Sequence, residues 1–269
     1  MTSDAPHLGE ALGQALGQAL GQALGQALGP ALGFMGFWAD IDADYELRYQ
    51  EWHNCEHMPE RVSIPGFIEG RRYRALLGSP RFFMCYVTTG PEVLGSEAYL
   101  AALNRPTPWT SEALTHFRNP VRSLYRNHCR AGAVGGYAPY ILQRRFDHKA
   151  DAETLAGMVR AVVAEDTSGT LSGGLYEVDE AISGIMTAER RIYSGGPGRQ
   201  QYLFTVEALD RDQAEAAGRR LDALLAEGAS DINPGLYWLE NRIQAAELRR
   251  PVSRAAAPAE ARIPERLTP

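Results

Sequence analysis

Cysteine is scarce in this chain. There are three in 269 residues, Cys55, Cys85 and Cys129, and no Cys-x-x-Cys pair among them. An odd, sparse set excludes a disulfide framework and reads as free thiols in a reducing compartment. Basic charge is not in excess: 27 Lys and Arg against 33 Asp and Glu give a net charge of −6 and a pI near 5.6. An acidic chain is a poor match for nucleic acid or an anionic membrane surface, so neither is expected as a partner. No uninterrupted run of about 20 apolar residues is present. The N-terminus lacks the basic region and the compact apolar stretch of a signal peptide. The turn Gly195-Gly196-Pro197-Gly198-Arg199 has no Gly-Lys-Ser/Thr and no helix after it, which excludes a phosphate loop, and no Gly-x-Ser-x-Gly elbow occurs. The chain therefore reads as soluble and cytoplasmic.

The two ends differ from the middle. Residues Leu8 to Gly33 repeat Leu-Gly-Gln-Ala with Glu10 and Pro30 as variants. A period of four winds the Leu row around a helix of 3.6 residues per turn, and the recurring glycines each oppose helix by roughly 0.8–1 kcal/mol. The segment 1–33 therefore reads as a low-complexity tail, and the Pro-, Ala- and Arg-rich segment 249–269 as a disordered one.

Between them, two segments share one rhythm. In 34–131, strands are predicted over Phe34–Ile41, Ile68–Leu77, Arg81–Thr88 and Pro120–His128. Helices are predicted over Asp44–His57, from a Ser96 cap to Asn104, and over Ser111–Phe117. In 132–248, strands are predicted over Tyr137–Phe146, Gly174–Ser183, Ala188–Tyr193, Gln201–Ala208 and Pro234–Ile243, the third and fourth as a hairpin. Helices are predicted over Asp151–Glu165 and Asp212–Glu227, the latter with Ala214, Ala217, Leu221, Leu224 and Leu225 on one face. Gly132–Gly136 is the joint. Each half follows the ferredoxin-like order, with helices on one side of an antiparallel sheet. The expected fold is α+β: tandem ferredoxin-like repeats whose two bare sheet faces close into one barrel around a cavity.

Chemistry concentrates in Glu51-Trp52-His53-Asn54-Cys55-Glu56-His57-Met58-Pro59-Glu60. Two of the six histidines sit four apart there, on one face of a helix. Imidazole is the side chain best suited to move a proton near neutral pH. His57 is the first candidate for general acid or base, with a structural role at the helix end as the alternative. His53 and His57 can share a Zn²⁺ ion, but Cys55 lies about 200° around the helix from His53 and no distant ligand set completes the site. Tyr45, Trp52 and Trp109 are candidate walls of an aromatic pocket, as core residues or as ligand contacts. Tyr73 and His116 can orient a substrate oxygen, and Arg122, if buried, can bind a carboxylate or phenolate.

The run Tyr45-x6-Trp52-x4-His57-x-Pro59, then Ile64-Pro65-Gly66-Phe67 and Arg71-Arg72-Tyr73-Arg74, resembles the dimeric α+β barrel superfamily, most closely its EthD-like members. Leu103-Asn104-Arg105-Pro106-Thr107-Pro108-Trp109-Thr110 and His116-Phe117-Arg118-Asn119 with Arg122 extend the resemblance over residues 34–130. The chain has Trp52-His53 where Trp-Tyr is commoner, and its second half has no Trp-x4-His. The resemblance implies a cavity between sheet and helices, often with a His as acid, base or ligand, and one site per chain. The superfamily holds polyketide cyclases, quinone-forming monooxygenases, muconolactone isomerases, dehydrochlorinase-like proteins and haem enzymes. The expected function is a small-molecule enzyme of isomerase, cyclase, lyase or cofactor-free monooxygenase type, acting on a hydrophobic aromatic, polyketide-like or lactone compound. His57, His116 and Tyr73 are its candidate catalytic residues. Trp52, Tyr45, His53, Trp109 and Arg122 are its candidate substrate contacts. No cofactor and no metal are expected, with haem or Zn as the alternative and a homodimer as a further option. A non-catalytic binding protein using the same cavity is the second reading.

Overall fold

The computed structural model describes residues 32–132, 137–164 and 169–248; residues 1–31 of the expected N-terminal tail, the expected tail 249–269 and most of the joint lie outside the described residues. The first half runs β1 (Gly33–Ile41), α1 (Glu46–Trp52), a π-helical segment (His53–His57), α2 (Met58–Val62), β2 (Phe67–Gly78), β3 (Phe82–Thr88), α3 (Glu97–Leu103), α4 (Pro108–Leu114) and β4 (Phe117–Gly132). The second half runs β5 (Tyr140–His148), α5 (Ala152–Ala164), β6 (Thr170–Val178), α6 (Glu180–Ser183), α7 (Ala188–Tyr193), β7 (Tyr202–Ala208), α8 (Arg211–Leu225) and β8 (Ala229–Gln244). The eight strands close into an antiparallel barrel in the order β1-β3-β2-β8-β5-β7-β6-β4. The seams are β2 against β8 and β4 against β6, one half meeting the other at each. This is the dimeric α+β barrel fold, with both sheets supplied by one chain.

Alternation along the strands separates three layers. On β1, Met35, Phe37 and Ala39 face the helices of the first half, while Phe34 and Trp38 point into the barrel. On β3, Phe82, Met84 and Tyr86 face outward, and Phe83 and Cys85 inward. The expected hollow barrel is corrected here. Its interior is filled by Phe34, Trp38, Tyr73, Phe83, Tyr125 and Tyr237. Eight strands leave a bore just wide enough for side chains, and large aromatics fill it.

Helix α1 continues through the π segment into α2, past the end predicted at His57. Pro59 has no N–H and would break a regular helix. The chain instead widens one turn, with the Met58 N–H donating to the His53 carbonyl five residues back, and resumes helix with Pro59 in its first turn. Helix α4 starts at Pro108, earlier than predicted, because the Thr107 side chain caps it by accepting from the Thr110 N–H. The segment Ala188–Tyr193 is a helix and not a strand of a hairpin. Thr187 caps it, and Asp179 caps α6 just after β6 ends at Val178. The β6–β7 connection is thus a long excursion, and it leaves the second half to lie on the first. On α8, Leu221 and Leu225 are buried but Leu224 is exposed, a break from the predicted face.

Candidate active site

The layer between the first sheet and its helices holds the scarce histidines. Trp52 and His53 are both 1% exposed. The Trp52 indole donates to Thr110 Oγ1 at 3.2 Å and lies 4.4 Å from the His57 ring, which is 5.8 Å from the His53 ring. The widened turn keeps Trp52, His53 and His57 together, a frequent use of π segments at functional sites. Arg72 NH1 lies 3.4 Å from His53 Nδ1 and donates to Asn54 Oδ1 at 2.8 Å, while its Nε donates to Glu240 at 2.9 Å. A guanidinium has no acceptor, so His53 Nδ1 receives and the ring proton sits on Nε2. That Nε2, and Nδ1 of the half-buried His57, are sealed from solvent without partners.

Burial pushes both imidazoles well below their ordinary 6.5. Arg72 adds to the effect at His53; Arg61 and then His53 add to it at His57. Both rings are neutral at pH 7. The unfolded chain takes up these protons near pH 6.5. Stability is therefore fully present above about pH 6.5 and falls as the pH drops from there toward the lowered folded values, by about 1.4 kcal/mol per pH unit for each ring. Denaturant unfolding between pH 7.5 and 5.5 checks this. The wild type loses stability across that range, and His53→Gln loses less.

Arg61, one turn beyond His57, is 1% exposed. It pairs through NH2 with Glu189 of α7, and its NH1 stands 3.6 Å from Glu60 Oε2. Burial works against its charge, but the Glu189 and Glu60 carboxylates more than offset this and hold the guanidinium protonated. Beside it, Arg122 NH2 donates to Tyr99 OH at 3.0 Å. Arg61 NH1, Tyr86 OH and Trp109 Nε1 have no hydrogen-bond partner although buried. Unpaired buried polar atoms are rare and costly in a settled core. Five of them occur in this one layer: two imidazole nitrogens and three N–H or O–H donors.

The structure divides the other predicted residues. Trp52, His53, His57 and Arg122 share the layer, and Trp109 packs at its edge with Arg48 4.6 Å above its ring. Tyr45 belongs to the same buried cluster as Trp52 and stacks at 3.8 Å on the more exposed His116; Tyr45 donates to Glu112 at 2.8 Å and His116 Nδ1 meets Asp42 at 3.0 Å. Tyr73 points into the barrel, where Arg71 donates to its hydroxyl at 3.2 Å. It lies across the sheet from His57 and cannot serve the same site, a correction to its predicted role. Arg61, Tyr86, Tyr99 and Glu189 were missed. Arg61 follows the histidine motif by one turn and was within reach of helical spacing. Glu189 carried no local signal, because its segment reads as a strand.

The second half offers no counterpart. Its helix layer is apolar, with Leu155, Val159 and Val162 of α5 against Ala217, Leu221 and Leu225 of α8. Among the described residues, no group of three or more His, Cys, Asp or Glu comes together as a metal set, and no helix is long and apolar enough to cross a membrane.

No family model and no curated protein matches this chain. Solved structures do. An anthrone oxidase-like protein superposes with a TM-score of 0.53 at 10% identity, covering 84% of this chain and 97% of that one. A protein named as a candidate monooxygenase from Lactobacillus acidophilus gives 0.50 at 8%, covering 80% and 97%. A haem-binding protein from Thermus thermophilus gives 0.47 at 8%, covering 78% and 92%. These likenesses are of fold. Haem binders and chlorite dismutases stand among the matches, so the expectation of no cofactor is withdrawn. Around His57, Trp52 covers the ring, and His53 Nε2 and His57 Nδ1 are sealed from solvent.

Proposed function

We propose that this protein is an enzyme that removes a proton from a hydroxylated or enolisable aromatic small molecule in the layer between the first sheet and its helices. His57 is the base: its Nδ1 is free and its ring is neutral at pH 7. The substrate C–H or O–H proton passes to Nδ1, and the electron pair left behind is held on the substrate oxygen as an enolate or phenolate. Tyr86 OH, Arg61 NH1 and His53 Nε2–H are the spare donors for that oxygen. Trp52 supplies an aromatic wall. Isomerisation, cyclisation and oxygenation all begin with such a step, and the likeness to an anthrone oxidase-like protein favours a fused aromatic ketone as substrate.

The observation that carries this reading is the free, neutral His57 nitrogen among unpaired donors. The test is turnover of a panel of hydroxyanthracenones and related aromatic ketones, anthrone included, followed by absorbance. Conversion by the wild type that His57→Ala loses supports the proposal. Binding without conversion across the panel identifies a carrier protein instead, and conversion retained in His57→Ala removes His57 from the chemistry.

A further inference from the structure

One edge of the histidine layer is built by the second half of the chain. Strand β8 crosses the seam beside β2, and a β-bulge opposite Arg72 and Tyr73 leaves Glu240 as the extra residue between Leu239 and Asn241. Bulges re-aim side chains. Here Leu239 packs against the barrel interior, while Glu240 and Asn241, consecutive in sequence, both reach groups on the helix side of the first sheet. Glu240, its side chain 9% exposed, accepts from Arg72 Nε at 2.9 Å and from Arg74 Nε. Arg74 also donates to Glu46 at 2.6 Å. A guanidinium is a rigid planar fork, so fixing Nε of Arg72 fixes the direction of its NH1. That NH1 lies 3.4 Å from His53 Nδ1 and donates to Asn54 Oδ1 at 2.8 Å. Asn241 Nδ2 donates to the same Asn54 oxygen at 2.7 Å, and Asn54 sits in the widened turn between the two histidines.

We infer that Glu240 is a positioning residue for the His57 site, supplied by the half of the chain that has no counterpart site of its own. It acts through Arg72. The hydrogen bond that one imidazole nitrogen makes sets which nitrogen carries the proton. Held by Glu240, Arg72 NH1 donates to His53 Nδ1, and this keeps the ring proton on Nε2 as a donor for the substrate oxygen. The shared Asn54 oxygen ties the same guanidinium, and Asn241 beside it, to the turn that sets the two histidines relative to each other. The effect on rate rests on the proposed proton abstraction; the tautomer does not, and it is read without substrate.

The test is ¹⁵N NMR of the His53 ring in the full-length protein at neutral pH, assigned by comparison with His53→Gln. In the wild type the two ring nitrogens resonate far apart, as the Nε2–H and bare Nδ1 of one tautomer. The separation narrows in Glu240→Ala and in Arg72→Met, where the ring exchanges between tautomers. It is kept in Glu240→Gln, whose amide oxygen still accepts from Arg72 Nε. Arg72→Met leaves Glu240 paired with Arg74 and strands no charge, so it decides the matter if Glu240→Ala does not fold. On an aromatic ketone that the wild type converts, Glu240→Ala lowers kcat by roughly 10- to 10²-fold with little change in KM, the scale for misplacing a group near the chemistry, and Glu240→Gln retains most of the rate. A wild type inactive on every ketone removes the proposed reaction and leaves the tautomer to decide this inference. An unmoved separation in Glu240→Ala or Arg72→Met, or an unmoved kcat in Glu240→Ala, overturns it.

Discussion

Glu189→Ala is expected to lower the unfolding free energy at pH 7 by about 3–5 kcal/mol, the range for breaking a buried ion pair from one side. Arg61 and Glu189 are 1% and 4% exposed. Removing the carboxylate leaves the guanidinium in the layer with Glu60 at 3.6 Å and an uncompensated share of its charge. The pair also joins the two halves of the chain away from the barrel seams. Glu189 stands on the β6–β7 excursion, which is further held by the Ala188 N–H donating to Asn104 Oδ1 at 3.0 Å and by Tyr193 against Phe37 at 5.2 Å. Denaturant unfolding measures the effect. The double variant Arg61→Met with Glu189→Leu should recover most of the loss, since matched apolar replacement of a buried pair is often neutral. A loss below about 1 kcal/mol in Glu189→Ala would show that the contact does not latch the excursion onto the site.

The second large effect is on catalysis. His57→Ala is expected to lower kcat by 10²–10⁴-fold on a substrate the wild type converts, the usual contribution of one positioned general base. At 1.36 kcal/mol per tenfold, that is about 3–5 kcal/mol of barrier. KM should change far less, because Trp52 and the donors of Tyr86 and Arg61 remain. His57→Gln keeps much of the side chain's volume and should fail equally in kcat, which separates loss of a base from loss of packing. Wild-type rates below pH 6.5 belong to the same expectation: a base whose folded value lies well below the ordinary imidazole stays unprotonated there.

How far the sequence carried the reading differed by element. Strands such as Phe34–Ile41 and Arg81–Thr88 were legible because hydrophobic alternation and turn residues bounded them. The ferredoxin-like order of each half followed, and with it the closed barrel. The His53–His57 pair and Trp52 were legible because scarce, chemically capable side chains stood at helical spacing. Which face of a strand meets which layer was not. Tyr73 adjoins Arg72, which contacts His53, yet one step along a strand reverses direction, so Tyr73 belongs to the barrel interior. The stacking of His116 on Tyr45 was out of reach for a different reason: it is a long-range contact that no spacing announces. The filled bore was also out of reach, since the volume left inside eight strands depends on every inward residue at once. Glu189 depended on the helix Ala188–Tyr193, where a Thr cap and good helix formers outweighed the apparent strand pattern.

The proposed chemistry requires His57 to be a neutral imidazole that accepts a proton. ¹⁵N-detected titration of the His57 ring, assigned by comparison with His57→Gln, measures this without any substrate. The expected midpoint lies well below 6.5 and moves back toward it in Arg61→Met, where the neighbouring positive charge is gone. A His57 ring that titrates near 6.5 in the wild type, unmoved by the loss of Arg61, would contradict it.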